Sequence, residues 1–354
     1  MTSSIPVRPD LALMAGYHSP QVEVSVRLNT NEAPLPPPDG FADALAEEVR
    51  TIPFHRYPDR KARALRAGLA DLHGVDAAQV FCANGSNEVL QCLLLAVGGP
   101  GRRVALFEPT YQLHAHIARI TGTEVVTGRR GADFRLDLAE VGRVIDAFDP
   151  VVTFLCSPNN PTGRAEPREV VEQVVAQAPG LVVVDEAYGQ FAPWSAVPLV
   201  SDEGRVVVVR TFSKTWSMAA NRLGYLIGPP ALVEALEDVA LPYHLDAMKQ
   251  AAGRIALRFR GEMESRVAGI VEERGRLAGA LADLPVESWP SDANFILFRP
   301  VARHATAVWE GLVDRSVLVR DCSTWPGLDG CLRVTVGTPA ENTAFLKALA
   351  EVLS

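Results

Sequence analysis

The feature that most restricts how this chain can fold is a series of short, almost uninterrupted apolar runs. They occur at 80–83, 103–107, 151–156, 181–184, 206–209 and 223–227, and the run at 206–209 is four valines. A strand with one wet face alternates apolar with polar residues, whereas a strand covered on both faces has no such need. These runs show no alternation and are therefore expected to lie between two helical layers. Between them apolar residues recur at helical spacing, as at Ala62, Leu65, Leu69 and Leu72, with Asp59 a candidate N-cap. Strands alternating with helices build a mainly parallel sheet. Residues 41–235 are thus expected to form a large α/β domain with helices on both faces of the sheet.

Beyond Pro230 the pattern changes. A helical region over 231–283, broken near Pro242 and Gly261, precedes separated strands at 294–298, 317–320 and 332–336, with helices at 306–314 and 339–353. This predicts a smaller α+β C-terminal domain over 236–354. Residues 1–40 are irregular and contain the cluster Pro34-Leu35-Pro36-Pro37-Pro38, the mark of an N-terminal arm packed on the body.

Composition narrows the function. Hydrophobic residues at 48% and charged residues at 21% exclude a disordered chain, and a net charge of -8 argues against nucleic acid as a partner. No signal peptide or membrane span is evident: the apolar stretch at 89–97 contains Gln91 and is too short. The expected location is cytoplasmic. The five cysteines (Cys82, Cys92, Cys156, Cys322, Cys331) show no metal-binding spacing and several sit in apolar runs, which predicts buried free thiols and no metal site.

Ligands of such sheets sit beyond the carboxyl ends of the strands, so the residues after each apolar run are the candidates for chemistry. Asn84-Gly85-Ser86-Asn87-Glu88 is a small-residue turn opening a helix, suited to a phosphate or simply a helix capped by Ser86. Ser157-Pro158-Asn159-Asn160-Pro161-Thr162-Gly163 is a rigid turn that holds an amide over the strand ends. Asp185, at the end of a buried strand, needs a cation, either a structural partner or a protonated ring nitrogen, and Tyr188 lies three residues on. Lys214 follows the four-valine run. It is either a desolvated nucleophile for an aldehyde or a lysine that snorkels to the surface. Thr211, Ser213 and Arg222 nearby supply hydroxyls and a forked cation for a phosphate.

Taken together these motifs resemble the fold-type I pyridoxal phosphate enzymes of the aspartate aminotransferase superfamily, and within it the histidinol-phosphate aminotransferases. The resemblance also takes in Arg27-Leu28-Asn29-Thr30-Asn31-Glu32, His55-Arg56-Tyr57-Pro58-Asp59, Ser291-Asp292-Ala293-Asn294-Phe295, Val319-Arg320-Asp321 and the segment from Cys331 to Gly337, which is nearly the whole chain. It implies a seven-stranded-type sheet and a homodimer, with the arm packed on the small domain and the dimer partner.

The same resemblance assigns roles. Lys214 carries pyridoxal 5'-phosphate as a Schiff base and moves the substrate proton; Asp185 meets the ring nitrogen; Asn160 and Tyr188 meet the ring oxygen; Tyr111 stacks on the ring. Ser86, Asn87, Thr211, Ser213 and Arg222 hold the cofactor phosphate, and Tyr57 reaches it from the neighbouring subunit. Arg333 grips a substrate carboxylate, with Arg320 and Tyr17 at the substrate's phosphate end. The implied reaction exchanges an amino group between histidinol phosphate and 2-oxoglutarate, in histidine biosynthesis. The chain departs from the family in having Ala33 within Asn31-Glu32-Ala33-Pro34, Asn87 where aspartate is frequent, and the bulky run Thr215-Trp216-Ser217-Met218 after the lysine. An aromatic aminotransferase and a phosphothreonine decarboxylase-like enzyme share the scaffold. A nicotinamide oxidoreductase is disfavoured, because no GxGxxG follows the first strand and Gly98-Gly99-Pro100-Gly101 has the wrong spacing.

Overall fold

The computed structural model describes residues 21–354. In chain order, β1 (Val26–Leu28), α1 (Phe41–Thr51) and α2 (Arg63–His73) lead into the first sheet strand. The alternating part follows as β2 (Val80–Ala83), α3 (Ser86–Val97), β3 (Arg103–Glu108), α4 (Gln112–Ile120), β4 (Glu124–Arg129), α5 (Leu138–Phe148), β5 (Val152–Cys156), α6 (Arg168–Gln177), β6 (Leu181–Asp185), β7 (Val206–Thr211) and β8 (Gly224–Ile227). Then come α7 (Pro230–Val239), α8 (Ala247–Arg258), α9 (Arg260–Ala282), β9 (Val286–Ser288), β10 (Phe295–Pro300), α10 (Ala305–Val313), β11 (Val317–Asp321), β12 (Leu332–Thr335) and α11 (Pro339–Leu353).

The large sheet has seven strands in the order β2-β8-β7-β6-β5-β3-β4. All neighbours run parallel except β8, which is antiparallel to both β2 and β7. Period-two alternation explains the apolar runs: Val206 and Val208 of β7 enter the core on one face, Val207 and Val209 the core on the other. A buried valine contributes roughly 1.5–3 kcal/mol, so polar residues are scarce along a strand with both faces covered, and Thr153 of β5 is the exception ahead of the carboxyl ends of β5, β6 and β7. A five-stranded sheet, in the order β1-β11-β12-β10-β9, surrounds a separate core with α10 and α11. Helix α9 touches both cores, through Met263 on one side and Leu277 and Leu281 on the other.

Two local expectations are corrected. Ala62, in left-handed conformation, occupies the N-cap of α2 in place of Asp59, although the Asp59 carboxylate still accepts the Arg63 N–H at 3.0 Å. Gly85, not Ser86, caps α3, because the turn there needs φ of 82°. Strand β4 was not foreseen. It lies at the sheet edge, and its sequence Glu-Val-Val-Thr-Gly-Arg is half exposed and lacks a continuous apolar run. Among the described residues no helix is long and apolar enough to cross a membrane. All five cysteines are free and buried.

Leu155 in β5 is fully buried in the core beneath the strand ends. Leu155→Ala should lower the free energy of unfolding by about 2–5 kcal/mol, as urea titration would measure.

Candidate active site

The carboxyl ends of β2, β3, β5, β6 and β7 open into one cavity of about 380 Å³. Ser86, Asn87, Tyr111, Asn160, Asp185, Tyr188, Thr211, Ser213, Lys214, Arg222 and Arg333 all line it. Residues placed at the ends of separate strands by sequence thus meet in space.

At one end the backbone forms a cradle for an anion. The N-terminus of α3 presents its free N–H groups there. Arg222 takes a left-handed conformation, φ 55°, and its guanidinium lies over Gly85, where an added Cβ would sit 2.8 Å from Nη2. Gly224 of β8 lies against the same helix start, since a Cβ there would fall 2.3 Å from the Ser86 nitrogen. Arg222 Nη1 donates to Ser213 Oγ at 3.2 Å, and the Thr211 hydroxyl donates to Ser213 Oγ at 3.0 Å. Tyr111 stands on the wall, its phenol donating to Asn87 Oδ1 at 3.3 Å.

The opposite end is a braced carboxylate. Asp185 is 2% exposed; its Oδ1 accepts the Ala187 N–H at 3.0 Å, and its Oδ2 lies 2.8 Å from His114 Nε2. His114 is stacked on Phe154 at 4.6 Å and has Tyr111 edge-on at 5.3 Å. Sequence reasoning missed His114. The signal available was its i+3 spacing from Tyr111 in the first turn of α4, which puts both on one face.

Lys214 lines the same cavity. Its Nζ donates to the Thr30 carbonyl at 2.9 Å. Burial lowers the amine pKa to about 8, helped by the Arg333 and Arg222 guanidinia and opposed by Glu32. The amine is therefore available as a nucleophile near neutral pH. Tyr188 is buried, which raises its phenol pKa, and the phenol oxygen accepts from Asn31 Nδ2 at 2.9 Å. Thr30, Asn31 and Glu32 line the cavity, although sequence reasoning had assigned them no role. Cys156 lines it as well, with a thiol pKa that burial pushes up, so it stays protonated.

Arg333 enters the cavity from β12. It donates from Nη1 to Asn160 Oδ1 and from Nη2 to the Asn29 carbonyl at 2.8 Å, while Nε has no partner among the described residues. Arg320 lies directly opposite it in the β11–β12 register, 7% exposed, with its guanidinium 5.5 Å from the Trp325 ring. It is not among the residues lining this cavity. Tyr57 is 80% exposed and stacks on Tyr243 at 4.4 Å, outside the cavity of its own chain. Tyr17 falls outside the described residues.

Residues 23–349 match the sequence profile of the family described as aminotransferase class I and II. The chain belongs to this family. It is 47% identical, over 98% of its own length and 95% of the other's, to the histidinol-phosphate aminotransferase of Thermobifida fusca. The corresponding enzyme of Frankia casuarinae is 46% identical over 99% of this aminotransferase and 91% of that protein. Among solved structures, the histidinol-phosphate aminotransferase of Sinorhizobium meliloti in complex with pyridoxal-5'-phosphate has the same fold, with a TM-score of 0.90, 23% identity and coverage of 99% and 98% of the two chains.

The residues present fit pyridoxal phosphate. A helix start, an arginine and two hydroxyls suit a dianionic phosphate, a braced buried carboxylate suits a ring N–H, and a lysine of lowered pKa suits an aldehyde. The crowding at Gly85 and Gly224 shows that the cradle admits no additional side chain.

The Lys214 environment makes a pH prediction. The rate at which apoenzyme takes up pyridoxal phosphate should rise with pH and level off above about 8, not near 10.5. Glu32 raises the lysine pKa, so Glu32→Gln should move the midpoint lower. Stopped-flow absorbance across a pH series measures both.

Proposed function

We propose that this aminotransferase uses pyridoxal phosphate to exchange an amino group between L-histidinol phosphate and 2-oxoglutarate, a step of histidine biosynthesis. The observation that carries the reaction class is the meeting of Lys214, Asp185 and the anion cradle in one cavity. Likeness to histidinol-phosphate aminotransferases over nearly the whole chain supports the substrate pair.

Bound pyridoxal phosphate supplies the aldehyde that takes up the amino group and a ring that accepts the electron pair released at the substrate Cα. Ser86, Asn87, Thr211, Ser213 and Arg222 hold its phosphate. Asp185, braced by His114, keeps a proton at the ring nitrogen, and Tyr188 with Asn160 faces the ring oxygen. Tyr111 covers the ring. Lys214 Nζ would act as the base that takes the proton from the substrate Cα and as the acid that gives it back. Arg333 binds the anionic end of either substrate, since a guanidinium fork pairs with carboxylate and phosphate alike. Arg320 supports that end from the adjacent strand, with Tyr17.

The reading extends to organisation. Residues 41–235 are read as the large cofactor domain, 236–354 as the small domain and 1–40 as an arm, of which 1–20 lie outside the described residues. The exposed side chains Phe54, Tyr57 and Leu241, with Tyr243 beside Tyr57, suit burial against a second copy in a homodimer, in which Tyr57 reaches the partner's phosphate cradle. The enzyme works in the cytoplasm.

Purified enzyme mixed with histidinol phosphate and 2-oxoglutarate should form glutamate, and Lys214→Ala should lose about 10²–10⁴-fold in turnover while keeping part of its cofactor affinity. Glutamate formation from aromatic amino acids but not from histidinol phosphate would overturn the substrate assignment. Undiminished transamination by Lys214→Ala would overturn the mechanism.

A further inference from the structure

A second pair of charges lies directly behind the site. Glu186 follows Asp185 at the end of β6, and Arg210 precedes Thr211 at the end of β7. Both are buried, at 2% and 6% exposure. Arg210 donates to Glu186 Oε2 from Nε at 3.0 Å and also from Nη2, and Nη2 reaches Ser195 Oγ at 2.9 Å. The Ser195 hydroxyl donates to Glu186 Oε2 at 2.8 Å, and the Ala196 N–H donates to Oε1. Across the β7–β8 pair Arg210 lies opposite Tyr225, whose phenol lies 2.8 Å from His73 Nε2.

The registers show which way these groups point. Asp185 pairs with Val209, and Arg210 pairs with Tyr225. Successive residues of a strand face opposite sides, so Asp185, Val209 and Thr211 share the face of the cofactor site, while Glu186, Arg210 and Tyr225 share the other. Tyr225 accordingly packs in the core on the far side of the sheet from Val209. The ion pair therefore ties together the two strand ends that carry Asp185 and the Thr211–Lys214 segment, from behind.

Stability gives little reason for charges here. Desolvating a buried pair offsets most of its attraction, and apolar replacements of similar volume are often neutral or stabilising. Geometry gives a better one. An arginine fork bound to a carboxylate fixes direction as well as distance, and chemistry at a bound cofactor is sensitive to shifts of about 1 Å.

We propose that the Arg210–Glu186 pair, with Ser195, is a positioning device that locks the ends of β6 and β7 from the back face and so sets the spacing between Asp185 and the segment from Thr211 to Lys214. This rests on the cofactor site alone and not on which amine the enzyme accepts. A failure of the substrate assignment leaves it standing.

The test uses Glu186→Leu/Arg210→Met, which leaves no unpaired charge, and Ser195→Ala, which keeps both charges and removes one hydroxyl. For each, the readouts are urea unfolding, the dissociation constant for pyridoxal phosphate, and the pH midpoint of the visible absorption of the bound cofactor. The double variant should unfold near the wild-type urea concentration, yet bind the cofactor about tenfold or more weakly, with a displaced pH midpoint. Ser195→Ala should show the same signs at about threefold. If the double variant folds with affinity within about twofold of wild type and an unmoved midpoint, the pair is structural only and the proposal is overturned. Should the double variant not fold, Ser195→Ala decides on the same two readouts.

Discussion

Everything chemical in this molecule follows from the burial of its large sheet on both faces. The valines of β6 and β7 leave no room for an unpaired polar atom along the strands, so Asp185, Arg210 and Thr211 appear only as the strands end. Each of those groups must then find a partner at the rim. Glu186 meets Arg210, His114 meets Asp185, and Ser213 meets Thr211. At the active site part of this rim lines an open cavity. Lys214 Nζ donates to a carbonyl and lies 5.9 Å from the Tyr188 ring centre, and one nitrogen of Arg333 has no partner among the described residues.

The charge lining that cavity has a sign. Three cations, Lys214, Arg222 and Arg333, line the cavity, against the carboxylates of Asp185 and Glu32. A cofactor bearing a phosphate and a substrate bearing an anionic end supply the missing negative charge, and the excess of cations lowers the lysine pKa further than burial alone. Glu32 restrains this effect. Its Oε2 accepts from Thr30 Oγ1 at 2.8 Å, which keeps one carboxylate at the cavity rim on the lysine side.

Much of this was legible in the sequence, for a physical reason. Doubly buried strands are short apolar runs rich in β-branched residues, and ligand sites of such sheets fall at their carboxyl ends. The strands at 206–209 and 181–184 were therefore placed with their successors Lys214 and Asp185 in view. What stayed hidden depends on tertiary context. Strand β4 is an edge strand whose residues alternate between burial and exposure. His114 acts through a side-chain contact with a residue 71 positions away. Arg320 and Arg333 look equivalent in sequence as single arginines on short strands. The β11–β12 register sets them side by side, yet in the folded chain Arg333 lines the cavity while the Arg320 guanidinium lies 5.5 Å from the Trp325 ring.

The segment Asn29-Thr30-Asn31-Glu32 connects the two sheets at the reactive amine. Arg333 of β12 donates to the Asn29 carbonyl at 2.8 Å, and Thr335 of the same strand bonds both the N–H and the Oδ1 of Asn31. Buried Asn294 donates to the Asn31 carbonyl at 3.2 Å. From this frame, Asn31 reaches Tyr188 and Thr30 receives Lys214, both of which belong to the large sheet's rim. A left-handed residue, Asn31 with φ 55°, sits at the centre, where such a conformation persists only because the surrounding bonds over-determine it. The segment that follows β1 of the small sheet thus presents its backbone to the lysine. Arg333, which faces the cavity, and the Thr30 carbonyl, which receives the Lys214 amine, are joined through Asn29, whose carbonyl accepts from Arg333 one residue before Thr30.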